Sequence, residues 1–455
     1  MKKLFSFILA LALMLSVTTV LPGSAEEDKV TIRFSFWDGG DALKGYQEAA
    51  NKFEELHPNI HVELLSIPAE YDTKLTAMIA GGTAPDVAEL ESSTIAFTLA
   101  EEGRVMDLAP LLAEDPEFGK DKLLPAITYY WEPGKIMGFA LGPQIMCLYY
   151  SKPALEAAGI TPPTSYEDAW TWDEFVENAK KLTLDSAGRN ALDPNFDANN
   201  IVQYGTTAPT WFASGYNITA LSEGTDYVTD DGSKLLLFDD PKFADSIQKI
   251  ADLIYVHKVA PSPMTAQTMP GMVDAFATGA YATTINGHWC NLELMEGGVD
   301  YGVMPVPVID KPVTTLMGGC LSIMSDTKHP KEAWEFYKFM CDPENTLTLI
   351  KSGLLTPMET EWYTDPEKFA KWAETEGHPD GYATVTRDGL IKYGKPIFQF
   401  YVKNFPKMNS IVSAALDKVW LGETTAAEAL ASVREQVEPL FAGRYDRQAQ
   451  TATQA

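Results

Sequence analysis

Between residues 30 and 99, apolar side chains recur at every second position in some stretches and at helical spacing in others. The first period is typical of half-buried strands and the second of amphipathic helices. The predicted strands cover residues 30–36, 62–67 and 86–90, and the predicted helices cover 46–56, 75–79 and 94–99. Regular alternation of the two element types predicts a parallel sheet with helices on its faces.

A second series of elements begins near residue 139. Its predicted strands cover residues 145–150, 235–238 and 281–285. Its predicted helices are 153–158, one that starts after Thr171, 245–257, 271–277, 331–340, 410–419 and 425–440. Because no internal repeat and no low-complexity linker separates the two series, we expect a two-lobed α/β protein rather than a row of independent domains.

Polar and aromatic residues directly follow two of the predicted strands. In parallel sheets, ligands bind just beyond the carboxyl ends of the strands. That rule points to Trp37 and Asp38 after the first strand, and to Glu91 and Ser92 after the third. Asp38 has an alternative role as the N-cap of the following helix, a position that a carboxylate often fills.

Tryptophans at strand ends, in loops that contain glycine, favour a carbohydrate site. Trp37 lies in such a turn, Trp211 lies in a loop, and Trp289 follows the strand predicted over residues 281–285. Sugar rings pack their C–H faces on indoles, while their hydroxyls need carboxylate, amide or backbone partners. Each tryptophan taken alone has a core or rim position as its alternative. The set predicts a carbohydrate-binding cleft.

The N-terminal residues 1–25 have the three parts of a secretory signal peptide. Two lysines precede an almost wholly apolar stretch over residues 4–21, and small side chains at Gly23 and Ala25 suit cleavage after Ala25. An uncleaved anchor helix is the alternative. No cysteine follows the apolar stretch as a lipid attachment site, and no later segment has about 18 consecutive apolar residues. We therefore predict an exported protein, periplasmic or associated with the cell surface.

The charge of the chain excludes two classes of partner. Its 455 residues include 63 Asp or Glu and 35 Lys or Arg, which gives a net charge of −28. Affinity for nucleic acid depends on Lys and Arg that displace counterions from phosphates, so no nucleic acid is expected to bind. Anionic lipid is excluded because it also attracts basic side chains.

No motif of a hydrolase or a zinc enzyme is present in the sequence. Gly-x-Ser-x-Gly and His-Glu-x-x-His are both absent, and Pro58 lies between His57 and His61, which prevents a shared helical face. The cysteines have no metal-ligand spacing, so disulfides and buried free thiols remain as alternatives. They are Cys147, Cys290, Cys320 and Cys341.

Asp193, Asn195 and Asp197 are spaced like the oxygen ligands of a calcium loop. However, the sixth position of that loop is Ala198 rather than glycine, and the twelfth is Tyr204 rather than glutamate. A polar turn held by local hydrogen bonds is the preferred interpretation, with calcium as the alternative. No other cofactor is expected.

Several segments, in the order in which they occur, match the signatures of one protein family. They are residues 46–58 (YQEAANKFEELHP), 82–87 (GTAPDV), 148–152 (LYYSK), 279–289 (GAYATTINGHW) and 317–320 (MGGC). The chain resembles the extracellular solute-binding proteins of ABC importers, and especially the sugar-binding group that includes maltose-binding protein.

The resemblance implies a periplasmic-binding-protein fold of the α/β class, whose two lobes close on a ligand about a hinge. It implies discontinuous lobes, residues 26–143 with 320–356 and residues 144–319 with 357–455. It also implies that Trp289 stacks on a sugar ring and that glycines allow close backbone approach at the hinge. The predicted ligand-binding residues are Trp37, Asp38, Glu91, Ser92, Gln144, Trp211, Trp289, Gly318, Gly319 and Tyr393.

The sequence thus predicts a monomeric binding protein without catalysis, which captures a sugar or oligosaccharide and delivers it to the permease subunits of an ABC transporter. A secreted glycoside hydrolase is the alternative from a different class, and turnover of glycans would distinguish it. The same fold with a non-sugar ligand, such as a phosphorylated polyol, is a third interpretation. Few Lys or Arg lie near the predicted strand ends, which disfavours a phosphate ligand.

Overall fold

The computed structural model describes residues 29–91, 95–375 and 377–445. The predicted signal peptide and Ser92 lie outside the described residues. Within this part of the chain, no helix combines the length and the apolar character that crossing a bilayer requires.

The strands of the described residues form one mixed nine-stranded sheet and a small two-stranded sheet of β6 and β7. The strands are β1 (Val30–Phe36), β2 (Ile60–Ser66), β3 (Val87–Leu90), β4 (Thr128–Glu132), β5 (Lys135–Ser151), β6 (Leu184–Asp185), β7 (Ile201–Gln203), β8 (Thr283–Gly287), β9 (Tyr301–Met304), β10 (Thr314–Ile323) and β11 (Gly394–Pro396).

Nineteen α-helices accompany the strands in the described residues. In the first half of the chain they are α1 (Ala42–Leu56), α2 (Tyr71–Ala80), α3 (Ala96–Glu101), α4 (Ala109–Glu114), α5 (Lys152–Ala158), α6 (Trp172–Leu182) and α7 (Tyr216–Ser222). In the second half they are α8 (Leu236–Asp239), α9 (Pro241–Tyr255), α10 (Pro263–Ala266), α11 (Met272–Ala277), α12 (Cys290–Glu296), α13 (Pro330–Cys341), α14 (Leu347–Lys351), α15 (Glu361–Thr364), α16 (Pro366–Ala373), α17 (Tyr382–Asp388), α18 (Phe405–Trp420) and α19 (Ala426–Val437).

The main path of the large sheet has the strand order β2-β1-β3-β10-β5-β4. β1 pairs in parallel with β2 and with β3, as the alternation of strands and helices predicts. β10 runs antiparallel to both β3 and β5, so the sheet is mixed and the prediction of a parallel sheet holds only for its first part. Local periodicity does not predict the pairing of β10 with β3, because β10 begins more than 200 residues after β3 ends.

Two strands belong to both lobes of the molecule. The first half of β5 pairs with β4 and β10, and its second half pairs with β8 and β9. β10 pairs with β3 at its C-terminal end and with β11 at its N-terminal end. We call the part built on β1–β3 the first lobe and the part built on β8 and β9 the second lobe. The exact lobe boundaries given above stay a prediction.

An aromatic cluster anchors α1 to the sheet in the first lobe. Phe34 of β1 and Phe53 of α1 both pack on Phe336 of α13, with ring centroids 5.4 and 5.2 Å apart. Buried aromatic rings at such distances are among the strongest contributors to a core. This packing fixes the short turn between β1 and α1, which carries Trp37 and Asp38.

One predicted element was wrong and one was incomplete. The apolar run predicted as a strand over residues 235–238 forms helix α8, and Leu235 makes only an isolated bridge, with Val228. A run this short does not distinguish a strand from a helix. The strand predicted over residues 145–150 is the second half of β5, whose first half is buried throughout except for Lys135 and therefore shows no alternation.

Candidate functional site

A cavity of about 520 Å³ lies between the two lobes. Its walls come from the turn after β1, the start of α1, β3 and the residue that follows it, α12, and the middle parts of β5 and β10. Small-molecule sites typically have volumes of roughly 300–1,000 Å³. Eight of the predicted ligand-binding residues line the cavity: Trp37, Asp38, Glu91, Gln144, Trp211, Trp289, Gly318 and Gly319.

Tyr393 is placed away from this cavity. It ends a π-helical turn (Gly389–Tyr393), its hydroxyl donates to Glu167 over 3.0 Å, and its ring stacks on Tyr166 with 4.4 Å between centroids. The structure therefore does not bring Tyr393 to the other predicted residues. Ser92, the remaining member of the predicted set, lies outside the described residues.

Indoles form opposite walls of the cavity. On the second-lobe side, Trp211 and Trp289 pack edge to face, with 6.2 Å between ring centroids and 67° between planes. On the first-lobe side, Trp37 packs edge to face on Tyr71 over 5.6 Å. Trp211 remains 38% exposed. These apolar rings can pack against the C–H faces of a ligand from both lobes.

The turn that carries Trp289 is held by a buried hydrogen-bond network. The side-chain amide of Asn291 donates to the Tyr149 hydroxyl over 3.1 Å and to the carbonyl of His288 over 2.7 Å. Tyr149 in turn donates to the carbonyl of Gly287 over 2.9 Å. A Cβ at Gly287 would lie 2.0 Å from the Trp289 ring, so only glycine allows the indole its position. The network thus orients Trp289 before a ligand binds.

His288, next to Trp289, is a structural residue rather than an acid–base group. Its Nε2 lies 2.9 Å from the Tyr382 hydroxyl, and the side chain is fully buried. Burial lowers the pKa of His288 to about 3, and the nearby His378 lowers it further in the same direction. The imidazole is therefore neutral at physiological pH and supports the turn without adding charge to the site.

A pair of carboxyl groups shares one tyrosine at the floor of the cavity. The Tyr46 hydroxyl lies 3.1 Å from Asp38 Oδ2 and 3.2 Å from Glu89 Oε2. Burial raises the pKa of Asp38, and burial together with the negative charge of Asp38 raises the pKa of Glu89 well above its usual value. Asp38 does not cap α1: Asp41 occupies the N-cap position, and no side chain caps that helix end.

Glu89 is the member of the site that sequence reasoning missed. It lies in β3, where all four residues are buried, and is itself 2% exposed. A carboxylate within a short, otherwise apolar strand is the signal that identifies it, because burying an unpaired charge is costly. A Cβ at Gly319 would lie 2.3 Å from Glu89 Oε1 and 2.4 Å from the Trp37 ring, so Gly319 leaves room for both side chains.

The strands that join the lobes approach each other closely beside the cavity. Gln144 of β5 donates to the carbonyl of Leu354 over 2.8 Å, and Tyr129 donates to the carbonyl of Gly318 over 2.5 Å. The pairing register of β10 with β5 shifts between Met317 and Gly319, which marks an irregularity in the ladder. Such irregularities re-aim a strand locally and are common beside binding sites.

The ionisable side chains that line the cavity among the described residues are all carboxylic acids. Among the described residues that line it there is no Lys, Arg or His. Lys44, in the first turn of α1, forms an ion pair with Asp41 while its side chain stays 76% exposed. The carboxyl groups that line the cavity are those of Asp38, Asp41, Glu89, Glu91, Glu293 and Glu296.

The polar loop around residue 195 holds its shape through hydrogen bonds of its own. The carboxylate of Asp193 accepts from the backbone N–H of Asn195 over 2.7 Å, and that of Asp197 accepts from the N–H of Asn199 over 3.0 Å. The N–H of Asp197 donates to Asp185 over 3.0 Å. These bonds match the polar-turn interpretation, and calcium binding stays an untested alternative. All four cysteines are free and buried.

Known proteins share both the sequence pattern and the fold. A sequence model of the family described as bacterial extracellular solute-binding protein matches residues 37–347. A lipoprotein of Streptomyces antibioticus is 25% identical over 445 residues, which are 92% of this chain and 89% of that protein. The multiple sugar-binding protein of Streptococcus mutans is 24% identical over 333 residues, 70% of this chain and 72% of that protein.

Solved structures show the same two-lobed fold. A substrate-binding protein of an ABC transporter from Listeria monocytogenes, in complex with cycloalternan, superposes with a TM-score of 0.75 at 23% identity. The match covers 90% of this chain and 99% of that one. The matched family segment runs from Trp37, which lines the cavity, through both β5 and β10, the strands that belong to both lobes. The chain belongs to the bacterial extracellular solute-binding protein family.

Proposed function

We propose that this protein binds a mono- or oligosaccharide outside the cytoplasmic membrane and delivers it to the permease of an ABC transporter, without catalysis. The observation that carries this proposal is the cavity between the lobes, which Trp37 lines from one side and Trp211 and Trp289 line from the other. The aromatic walls suit the C–H faces of a sugar ring, and the carboxyl groups suit its hydroxyls.

The arrangement of the walls supports a closing motion on the ligand. A ligand favours the closed state only if it binds that state more tightly than the open one, which requires contacts to both lobes at once. Trp37 and Asp38 supply such contacts from the first lobe, and Trp289 and Glu293 from the second. β5 and β10 connect the lobes, so a bend at residues 142–145 and 317–319 is the expected hinge.

Export and assembly follow from the same proposal. The predicted signal peptide would direct the chain across the cytoplasmic membrane, where a permease takes over the captured ligand. We propose that the protein acts as a monomer, since residues of one chain line the cavity from both lobes. The relative from Streptomyces antibioticus is named as a lipoprotein, whereas in this sequence no cysteine directly follows the apolar N-terminal stretch.

The two alternative functions have less support. The multiple sugar-binding protein and the substrate-binding protein to which this chain is similar are named as binding proteins and not as hydrolases. A phosphorylated polyol requires cationic partners for its phosphate, and the described lining of the cavity contains no Lys, Arg or His.

A thermal-shift screen over a library of mono- and oligosaccharides tests the proposal. A bound sugar raises the melting temperature, because it stabilises the folded state by mass action. Each hit is then incubated with the protein and analysed for products. Stoichiometric binding with the sugar unchanged supports the proposal, whereas released product supports a hydrolase and contradicts it.

Trp289→Ala locates the site. We expect this variant to remain folded and to lose the shift that sugar causes, because a stacking wall is removed. The matched control is Trp170→Ala, which removes a half-buried tryptophan outside the cavity. If Trp289→Ala binds sugar as tightly as the parent protein, the site proposed here is wrong.

A further inference from the structure

We propose that the ligand of this protein is an oligosaccharide rather than a single sugar, and that one of its rings occupies a second subsite beyond Trp37. This inference rests on the proposed function, since it specifies the length of the ligand that enters the same cavity. The second subsite is a recess of about 260 Å³ in the first lobe, which we call the outer recess. The described residues that line it are Trp37, Glu70, Tyr71, Asp72, Thr73 and Glu91.

The outer recess adjoins the cavity between the lobes. Trp37 and Glu91 line both spaces and form the boundary that the two have in common. The Trp37 ring has a neighbour in each space. On the cavity side, a Cβ at Gly319 would lie 2.4 Å from its Cη2 atom. On the recess side, Tyr71 packs on it edge to face, with 5.6 Å between ring centroids. A chain of sugar rings can therefore pass from the cavity into the recess along one indole.

The aromatic wall of the outer recess is fixed by hydrogen bonds to the sheet. Tyr71 is 8% exposed, its hydroxyl donates to the carbonyl of Ser35 over 3.3 Å, and it lies 2.9 Å from Ser35 Oγ. Ser35 belongs to β1 and is fully buried. Because the ring of Tyr71 is already ordered, a ligand that contacts it loses little affinity to the ordering of side chains.

The lining of the outer recess combines aromatic rings with polar side chains. Trp37 and Tyr71 offer ring surface to the C–H groups of a sugar. Thr73 has a hydroxyl that can donate and accept, and the carboxyl groups of Asp72 and Glu91 can accept from sugar hydroxyls. The recess therefore continues the chemistry of the main cavity, where indoles and polar groups also occur together.

The aromatic surfaces are more numerous than one sugar ring can cover. Trp211 and Trp289 differ by 67° in their planes, so one face of a sugar ring can stack on only one of them. Trp37 and Tyr71 are likewise close to perpendicular, at 80°. The two pairs belong to opposite lobes. This arrangement suits a ligand of two or more rings, one of which lies beyond Trp37 in the outer recess.

Calorimetric titration with sugars of increasing length tests the inference. The probes have from one to four rings and belong to the series of α-1,4-linked glucose, β-1,4-linked glucose and β-1,4-linked xylose. The corresponding series of any sugar that the thermal-shift screen identifies is added. In a series that binds, we expect the best oligosaccharide to bind about tenfold more tightly than the monosaccharide, or tighter still, since only the longer ligand covers both sides of Trp37.

Thiol labelling shows whether a sugar ring enters the outer recess. Thr73 is an exposed residue of its lining, and the four native cysteines are all buried. A maleimide reagent should therefore react with the Thr73→Cys variant mainly at position 73. We expect the best oligosaccharide to slow this reaction about tenfold, and the monosaccharide of the same series to slow it far less.

Thr76→Cys is the matched control for labelling. Thr76 is exposed and lies one turn further along helix α2, but it does not line the outer recess. The rate at which this variant is labelled should respond to neither sugar. Melting curves verify that each variant is folded.

A bulky side chain at position 73 gives an independent test. We expect Thr73→Trp to fill the outer recess, and so to reduce the affinity advantage of the oligosaccharide over the monosaccharide about tenfold. Thr76→Trp adds the same side chain outside the recess and should keep this advantage. Both variants change exposed positions of the same helix.

The outcomes separate this inference from the proposed function. If a monosaccharide binds as tightly as every longer member of its series, the inference is wrong and sugar binding stands. The inference is also wrong if an oligosaccharide binds more tightly but neither slows the labelling of Thr73→Cys nor loses its advantage in Thr73→Trp. If no sugar of these series or of the wider library binds, both the inference and the proposed function are wrong.

Discussion

The Tyr46 hydroxyl lies within hydrogen-bond distance of the carboxyl groups of Asp38 and Glu89. Burying these groups lowers the stability of the empty protein, whereas binding a ligand makes use of them. Burial raises the pKa of Asp38, and burial together with the negative charge of Asp38 raises the pKa of Glu89. The same carboxyl groups can form hydrogen bonds with the hydroxyls of a sugar. Binding sites commonly keep such groups although they destabilise the empty protein.

Glu89→Gln should stabilise the empty protein, and increasingly so as the pH rises. The folded-state pKa of Glu89 lies above the usual 4.5, so folding takes up a proton and stability falls as the pH rises from 4.5 through the folded-state pKa. Glutamine keeps the size of the side chain and removes the charge. We expect a gain of about 1–3 kcal/mol in the free energy of unfolding once the parent's Glu89 is ionised.

Urea unfolding at several pH values between about 5 and 8 measures this difference. Glu55→Gln, which changes an exposed carboxyl group of the same lobe outside the cavity, serves as the control and should show no gain that grows with pH. A Glu89→Gln variant that is less stable than the parent protein throughout this range would contradict the prediction. It would mean that the hydrogen bond from Tyr46 to the ionised carboxylate outweighs the cost of burying the charge.

At the scale of single elements, β10 shapes the cavity because its glycines have no side chains. All ten of its residues are buried, and two adjacent glycines occupy the part that crosses the cavity wall. Gly319 has no side chain where Glu89 and Trp37 approach the strand. The strand thus connects the lobes and also forms the part of the cavity wall where no side chain projects.

Gly319→Ala should weaken both folding and binding. The new Cβ would lie 2.3 Å from Glu89 and 2.4 Å from Trp37, so both side chains must move. We expect a loss of about 1–3 kcal/mol in stability, as is typical of overpacking, and weaker sugar binding. Gly271→Ala is the matched control, because nothing lies within 4 Å of a Cβ at that position. Thermal unfolding and calorimetry measure both effects, and equal behaviour of the two variants would contradict the prediction.

Helix α6, which lies outside the cavity, begins at a capping motif that can be read from the local sequence. The Thr171 side chain accepts from the N–H of Glu174 over 3.2 Å, and the Glu174 carboxylate accepts from the N–H of Thr171 over 2.9 Å. This reciprocal pair is a capping box, which satisfies backbone donors at the helix start. Acidic residues in the first turn also favour the positive end of the helix dipole.

Thr171→Ala should cost about 0.5–2 kcal/mol of stability, because the N-terminal cap is lost. Sugar affinity should not change, since Thr171 does not line the cavity. Thr164→Ala, an exposed threonine in the preceding loop, is the control and should be neutral. Chemical unfolding measures the loss, and a clear drop in sugar affinity would contradict the separation of this helix from the site.

At the scale of the whole molecule, the cavity exists because two lobes share strands. β5 and β10 run from one lobe into the other. Few connections of this kind allow the lobes to rotate as rigid bodies about a hinge. The same architecture places Trp37 and Trp289, which are far apart in the chain, on facing walls.

Sugar binding should therefore make the molecule more compact. We expect the radius of gyration from small-angle X-ray scattering to fall when a sugar identified in the screen is added. Trp289→Ala should show no such decrease at the same sugar concentration, because the contact from the second lobe is lost. A parent protein that binds sugar with unchanged dimensions would contradict closure as the means of capture.

Most helices and strands of this protein could be predicted from the sequence, because their signals are local. Alternation over residues 30–36 identified β1, and apolar spacing identified α1 and α13 to within a few residues. Glycine-rich turns and tryptophans after strands located most of the site, since parallel strands end at one edge of a sheet. The family resemblance followed from the order of these segments, which the match over residues 37–347 confirms.

Tertiary structure decided the features that join distant parts of the chain. Glu89 is hydrogen-bonded to Tyr46, 43 positions away in the chain, and Gln144 is hydrogen-bonded to Leu354, 210 positions away. Hydrophobic periodicity contains no information about such distant pairs. The antiparallel course of β10 and the placement of Tyr393 outside the cavity are of the same kind. Local patterns report which face of an element is buried. Only packing decides which buried carboxyl group faces a ligand and which glycine must leave room for it.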